Sequence, residues 1–360
     1  MVRATLFMEQ HVGLYTYYLN LRNFIDSAGG IDPKWVQVHY GKSGSLWDKI
    51  PFLPDRIGGA LRGRAQIRGE IGRSQSDVFF FNTQVPATFA HRSIRRRPYV
   101  ISTDVTALQF DRLRPGYGLS PRRGGPIAAY KHSINVRVLR GASRLLPWSR
   151  WVADSLVADY GVDPGKIEVV PPGINLDAWP EFPSRRGTGG RIKILFVGAE
   201  LERKGGLLLL EAFRAFRDLG VELHLVTRER LAQESGLTVY NDMRPNSEPL
   251  KRLFAEADIF CLPTLADCLP LVLCEAGAAG LPSVSTKIAA VPEIVVDGVT
   301  GLLVDPQDVR GLIDRLRILI LDPELRRRMG LAARQHVERH FDASRNGQRI
   351  VSCLCEASRM

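Results

Sequence analysis

The sequence predicts an α/β protein of two domains, each built on a parallel sheet covered by helices. Three observations carry this expectation. A chain of 360 residues exceeds what one hydrophobic core usually supports. Short apolar runs alternate with stretches of helical periodicity along its whole length. The alternation breaks at residues 171–190, where Pro, Gly and charge replace periodicity.

Taken in order, ATLFMEQHVG, residues 4–13, is a short apolar run that stops at a polar turn with Gly13, and the following YTYYLNLRNFI has apolar residues at helical spacing, so strand, loop and helix open the chain. Further runs at 78–81, 98–102 and 166–170 predict strands of the first domain, and runs at 192–197, 222–226, 259–262 and 283–286 predict strands of the second. Helical stretches fall at 205–219, 249–257, 271–279 and 307–321, then from about 323 to 341, with one more closing the chain. The boundaries that follow are an N-terminal domain at 1–172, a linker at 173–190, a second domain at 191–340, and a helix at 341–360 packing back on the first domain. Open α/β sheets bind ligands at the carboxyl ends of their strands, so function is expected in a cleft between the two sheets.

Composition narrows the class. With 45% hydrophobic and 24% charged residues the chain is an ordinary globular sequence. No apolar window approaches the roughly 18 residues of a membrane span, and Glu9, Gln10 and His11 interrupt the opening run too early for a signal peptide, so a cytoplasmic address is expected. Cys261, Cys268, Cys274, Cys353 and Cys355 lack zinc-site or disulfide spacing and read as reduced thiols. Dispersed histidines leave no metal cage, and neither metal nor cofactor is expected.

The net charge of +11 is concentrated, because residues 51–150 carry 18 basic and 5 acidic side chains. Such a field attracts phosphate-rich partners, namely nucleic acid, an anionic bilayer or an anionic acceptor, although a solvated Arg-rich surface explains it equally well. The scarcity of interleaved aromatics disfavours nucleic acid. Phe52, Leu53 and Leu61 nearby suggest peripheral contact with an anionic membrane surface, at its inner face.

Two segments carry chemistry. TLADCLPLVLCEAGAAGLPSVST, residues 264–286, runs from a strand end through a loop into a helix beginning near Pro270. Asp267 and Glu275 are separated there by seven residues, and the helix start presents unpaired N–H groups at Leu271 and Val272 that suit a phosphate or sugar oxygen. An N-capping Asp and an exposed helix Glu remain the alternative. In ILFVGAELERKGGLLLLEAF, residues 194–213, a buried strand ends at Gly198 and the loop carries Arg203 and Lys204 to a helix start, which suits a diphosphate as well as two solvated charges. Thr227, Arg228 and residues 244–248, at neighbouring strand ends, are the expected base-reading positions.

Together with ADIFCLPT and VPEIVVDGVTGLLV, these segments resemble the donor half of glycosyltransferase family 4 (group 1), retaining enzymes of the GT-B fold. The resemblance is dense over residues 192–306 and implies two Rossmann-like domains whose parallel sheets face an interdomain cleft. It implies a nucleoside-diphosphate sugar as donor and a glycan, lipid-linked or small-molecule hydroxyl as acceptor, joined by front-face displacement without a metal. By the same resemblance Lys204 holds the donor diphosphate, Glu275 the ribose, and Asp267 lies near the sugar, with the N–H groups of Leu269, Leu271 and Val272 on sugar or phosphate oxygens and Gly13 facing the donor. Asp104 and His11 complete the catalytic candidates. Ala199 stands where the family commonly has Arg, so Arg203 is assigned the missing phosphate contact; Asp267 replaces a Glu and Thr103 a His. Two other readings stay open: a sugar-nucleotide epimerase or phosphorylase, which needs no acceptor, and a basic anionic-surface or nucleic-acid binding module with a vestigial donor site. A dinucleotide oxidoreductase is disfavoured by the lack of G-x-G-x-x-G after a strand.

Overall fold

The computed structural model describes residues 1–10, 12–41, 55–121, 124–179 and 190–360. The chain divides into two units, the first comprising Met1–Arg112, Pro121–Gly173 and Ala343–Met360, the second Leu113–Ser120 and Ile174–Asp342. Each is a parallel sheet with helices.

In the first unit β1 (Val2–Glu9), β2 (Ile31–Val38), β3 (Val78–Phe81), β4 (Tyr99–Thr103) and β5 (Arg144–Pro147) stand in the order β2-β1-β3-β4-β5. β1 from Ala4 onward and all of β3 are buried because both faces are covered, and Phe7 stacks on Phe81 at 4.9 Å in the core. The flanking helices are α1 (Val12–Ala28), α2 (Asp55–Arg73), α3 (Gln84–Phe89), α4 (Ala107–Leu113), α5 (Pro126–Gly141) and α6 (Arg150–Ala158). The last helix of the chain also belongs to this unit. It approaches α1 so closely that a Cβ on Gly347 would lie 2.3 Å from the Phe24 ring.

In the second unit β6 (Ile192–Val197), β7 (Val221–Val226), β8 (Leu237–Tyr240), β9 (Ile259–Leu262), β10 (Ser283–Thr286) and β11 (Gly301–Val304) stand in the order β11-β10-β9-β6-β7-β8. Its helices are α7 (Gly206–Phe213), α8 (Glu248–Glu256), α9 (Leu271–Ala278), α10 (Val291–Ile294), α11 (Val309–Leu321) and α12 (Pro323–His340), with α13 (Ala343–Ala357) returning to the first unit. Among the described residues no helix is long and apolar enough to cross a membrane.

Four strands were not legible in the sequence: β2, β5, β8 and β11. All four are edge strands, and three of them are only four residues long; β2 carries Pro33, which an edge tolerates because its N–H side is unpaired. The predicted strand at 166–170 does not form. Glu168 and Val170 donate to the carbonyls of Leu145 and Pro147, yet a tight turn at Pro164–Lys166 and the Pro171-Pro172 pair confine this segment to a single bridge beside β5.

Two boundaries are corrected. Residues 174–179 are not linker: Trp179 is buried, packs edge-on against Phe254 at 5.3 Å, and its carbonyl accepts from Arg334 at 2.6 Å. Residues 113–120, expected in the N-terminal domain, belong to the second unit. Positions 180–189 of the expected linker lie outside the described residues.

Candidate active site

The strand order of the second sheet reverses between β6 and β9, and at such a reversal open α/β sheets bind ligands beyond the carboxyl ends of the strands. The candidate residues come from the loops after these two strands. Gly205 ends the loop after β6 in a left-handed conformation (φ +77°), and a Cβ there would lie 1.9 Å from the Pro263 carbonyl oxygen. Only glycine lets the two loops approach this closely, and the approach sets Lys204 against the loop after β9. The Leu265 N–H donates to the Arg203 carbonyl at 2.9 Å and the Thr264 hydroxyl to the same carbonyl at 3.3 Å, which fixes the register.

Lys204 Nζ donates to Asp267 Oδ2, and the two side chains are 16% and 12% exposed. The cation assigned to the diphosphate and the acid assigned to the sugar therefore pair with each other. Asp267 is not an N-cap: Pro270 occupies that position with extended backbone and caps nothing, and helical geometry begins at Leu271. The N–H of Leu273 turns back to the Pro270 carbonyl, while those of Leu271 and Val272 have no acceptor among the described residues. Leu269 and Leu271 are buried and Val272 half-buried.

Glu275 is buried in α9, and its carboxyl accepts no hydrogen bond from the described residues. Burial alone pushes its pKa up to about 7. The reading of Glu275 as an exposed helix residue is thereby excluded. Gly277, two residues on, lets α9 seat on α12, since a Cβ there would meet the Val337 side chain at 2.6 Å.

Arg203, expected as a second phosphate cation, is engaged by its neighbours. Its Nε and Nη2 donate to Glu200 at 2.8 and 3.0 Å and its Nη1 to the Ala266 carbonyl at 2.8 Å, so it holds the loop that carries Asp267. The same guanidinium lies over the ring of Tyr117, 4.8 Å from its centroid. The Tyr117 hydroxyl lies 3.9 Å from Cys268 Sγ, and burial followed by the proximity of Cys268 and Asp267 raises its pKa. Gly116 makes this docking feasible, because a Cβ would sit 2.6 Å from that of Ala266. Sequence reasoning missed Tyr117; its only local sign was the glycine pair around it in P-G-Y-G, 150 residues from the loop it supports.

Asp104 and Gly13 belong to the first unit, and His11 lies outside the described residues. Gly13 is exposed in the first turn of α1 with open space where a side chain would project. Asp104 follows β4, half-buried. Its neighbour Thr103, at the family's His position, is wholly buried, and its hydroxyl joins Gln84 Oε1 at 2.6 Å and the Val105 carbonyl at 2.9 Å. Sequence reasoning also missed a polar knot where this sheet reverses, between β1 and β3. There Glu9 accepts from the Tyr40 and Thr83 hydroxyls, while its own N–H donates to Asn82 Oδ1 at 2.9 Å. Among the described residues no three His, Cys, Asp or Glu side chains converge as metal ligands would. Of the expected base-reading residues, Thr227 is buried and Arg228 exposed.

The model for glycosyl transferases group 1 matches residues 191–322, and that for glycosyltransferase family 4 matches residues 22–178. The chain belongs to the group 1 glycosyltransferases. This family member is 31% identical over 228 residues to D-inositol 3-phosphate glycosyltransferase of Kribbella flavida, covering 56% of the chain and 54% of the relative. It is 34% identical over 205 residues to the MMP alpha-(1->4)-mannosyltransferase of Mycolicibacterium hassiacum, covering 54% and 49%. The chain thus spans about half the length of these relatives. Sucrose-phosphate synthase from Thermosynechococcus elongatus superposes with a TM-score of 0.77 at 15% identity, over 99% of both chains. Anabaena HepE, solved in complex with UDP-glucose, superposes at 0.71 and 17% identity, over 99% and 100%. Likeness at these identities shows the fold, GT-B.

Proposed function

We propose that the chain is a retaining glycosyltransferase that moves a sugar from a nucleoside diphosphate to an acceptor hydroxyl without a metal. The observation that carries this reading is the Lys204–Asp267 pair at the strand-order reversal of the second sheet, beside the start of α9 and the unpartnered buried Glu275. A diphosphate entering the crevice takes Lys204 from Asp267 and meets the N–H groups of Leu271 and Val272. Asp267, released, accepts from a sugar hydroxyl, and Glu275 ionises to accept from the ribose. The bond from the anomeric carbon to the phosphate oxygen then breaks while the acceptor oxygen attacks the same face, and the acceptor proton passes to the departing phosphate. The developing negative charge is met by Lys204 and the helix start, so the work is electrostatic. In the first unit Gly13 is assigned to the donor and Asp104 to catalysis.

The donor panel for a test includes UDP-glucose, named in the HepE structure, and the acceptor panel includes D-inositol 3-phosphate, named in the Kribbella relative. Release of nucleoside diphosphate that depends on acceptor, with an α-linked product from an α-linked donor by NMR, is the expected result. Release without any acceptor, or a β-linked product, overturns the reading. A cytoplasmic location at an anionic membrane face is kept as part of this proposal on the strength of the charge in residues 51–150; Phe52 and Leu53 lie outside the described residues, and Leu61 is half-buried.

A further inference from the structure

A second concave feature lies in the first unit, at the opposite edge of its sheet from Glu9. A cavity of about 750 Å³ opens between the second half of α5 and the segment His91–Tyr99 that leads into the amino end of β4. Arg95, Arg97, Arg137 and Arg140 line it together with His91 and His132, and no carboxylate does so among the described residues. Arg97 is anchored by donation from Nη1 to the Ser76 carbonyl at 3.0 Å and lies over the Phe79 ring; Arg140 is anchored by Nε to the Tyr160 carbonyl at 2.8 Å. Each of these two keeps guanidinium donors beyond the one its anchor uses. Arg95 and Arg137 are exposed and pair with no carboxylate among the described residues.

Four guanidinium groups around one concavity repel one another, and nothing in the lining offsets them. Guanidinium forks fit phosphate oxygens in pairs. The cavity has the size of small-ligand sites, roughly 300–1,000 Å³, and not the extended form of a nucleic-acid track. Its aromatic residue, Tyr99, is buried with its hydroxyl donating to the Val138 carbonyl at 2.8 Å, which leaves no platform for base stacking. Substrates of open α/β sheets sit at the carboxyl edge, so an amino-edge pocket stands apart from the proposed reaction.

We propose that this pocket binds a phosphate-bearing molecule of small-ligand size, either free or as the headgroup of an anionic lipid. Calorimetric titration with inositol hexakisphosphate, as a soluble probe, on the wild type, Lys204→Ala and the double variant Arg95→Gln/Arg137→Gln separates this site from the donor crevice. One equivalent is expected to bind the wild type and Lys204→Ala alike, and the double variant to bind more weakly by about tenfold per arginine removed. Thermal melting checks that the double variant is folded, and the two single variants, each at an exposed position, replace it if it is not. Flotation with phosphatidylcholine vesicles, with and without phosphatidylglycerol, identifies the source. Flotation lost in the arginine variants assigns a lipid headgroup, and soluble binding without flotation assigns a free ligand. Undiminished binding by the arginine variants, loss of binding in Lys204→Ala, or failure of the wild type to bind probe and vesicle alike overturns the proposal.

Discussion

Glu9 and Asp267 both lie at the carboxyl side of a sheet beside its strand-order reversal, Glu9 as the last residue of β1 and Asp267 in the loop after β9, and each is buried. They are satisfied differently. Glu9 accepts from two neutral hydroxyls, Tyr40 and Thr83, that the fold holds in place, whereas Asp267 is held by the ammonium of Lys204 on a four-carbon stem. Neutral donors fixed by packing make a carboxylate a strut. A cation on a flexible arm makes it an exchangeable counter-ion, which a diphosphate can displace. Glu275 completes the contrast, since it is buried with neither kind of partner.

The sharpest way to test this contrast is Glu275→Gln. The folded protein keeps the Glu275 proton up to about pH 7, against an ordinary value of 4.5, so the folded state binds more protons than the unfolded state between these values. Stability is therefore full below about 4.5 and falls as pH rises through about 7. The difference amounts to about 3 kcal/mol. Urea unfolding above pH 7 should find Glu275→Gln more stable than the wild type by about this amount, with a shallower pH dependence; a less stable variant would mean the carboxylate has a partner in the fold.

Removing the cation is next in size. Lys204→Ala leaves Asp267 mostly buried and unpaired, at a cost of about 2 kcal/mol in urea unfolding. Lys204→Ala/Asp267→Asn should recover most of that loss, and no recovery would show the pair to be incidental. On the other sheet, Glu9→Gln should lose about 1 kcal/mol by misaligning a donor with a hydroxyl, with nucleotide affinity unchanged. A large change in nucleotide affinity would erase the distinction between strut and counter-ion. The smallest effect belongs to Tyr117→Leu, which removes the ring under Arg203 and should weaken nucleotide binding by about 0.5–1 kcal/mol through the loop carrying Asp267. Tyr117→Phe, which keeps the ring, should restore most of it.

What the sequence made legible follows the same division. The inner strands β1, β3, β4, β6, β7, β9 and β10 read as apolar runs; the edge strands did not, because β2 alternates and carries a proline, β8 is half polar, and β5 and β11 are four-residue runs beside proline or glycine. Lys204, Asp267 and Glu275 were legible because they sit on short loops or a helix start immediately after such runs. The anchoring of Arg203 was not legible, because its partners, Glu200, Ala266 and Tyr117, meet only through the fold. Glu9 and Tyr40 left no local trace for the same reason: a buried polar knot is assembled from separate strands and loops, and no spacing along the chain encodes it.

The most direct test of the donor crevice is calorimetric titration of UDP and GDP into the wild type and Lys204→Ala at neutral pH. One nucleotide is expected to bind the wild type in one equivalent and to bind Lys204→Ala about 100-fold more weakly, a difference of roughly 2.7 kcal/mol. Equal affinity of the two proteins would contradict the account.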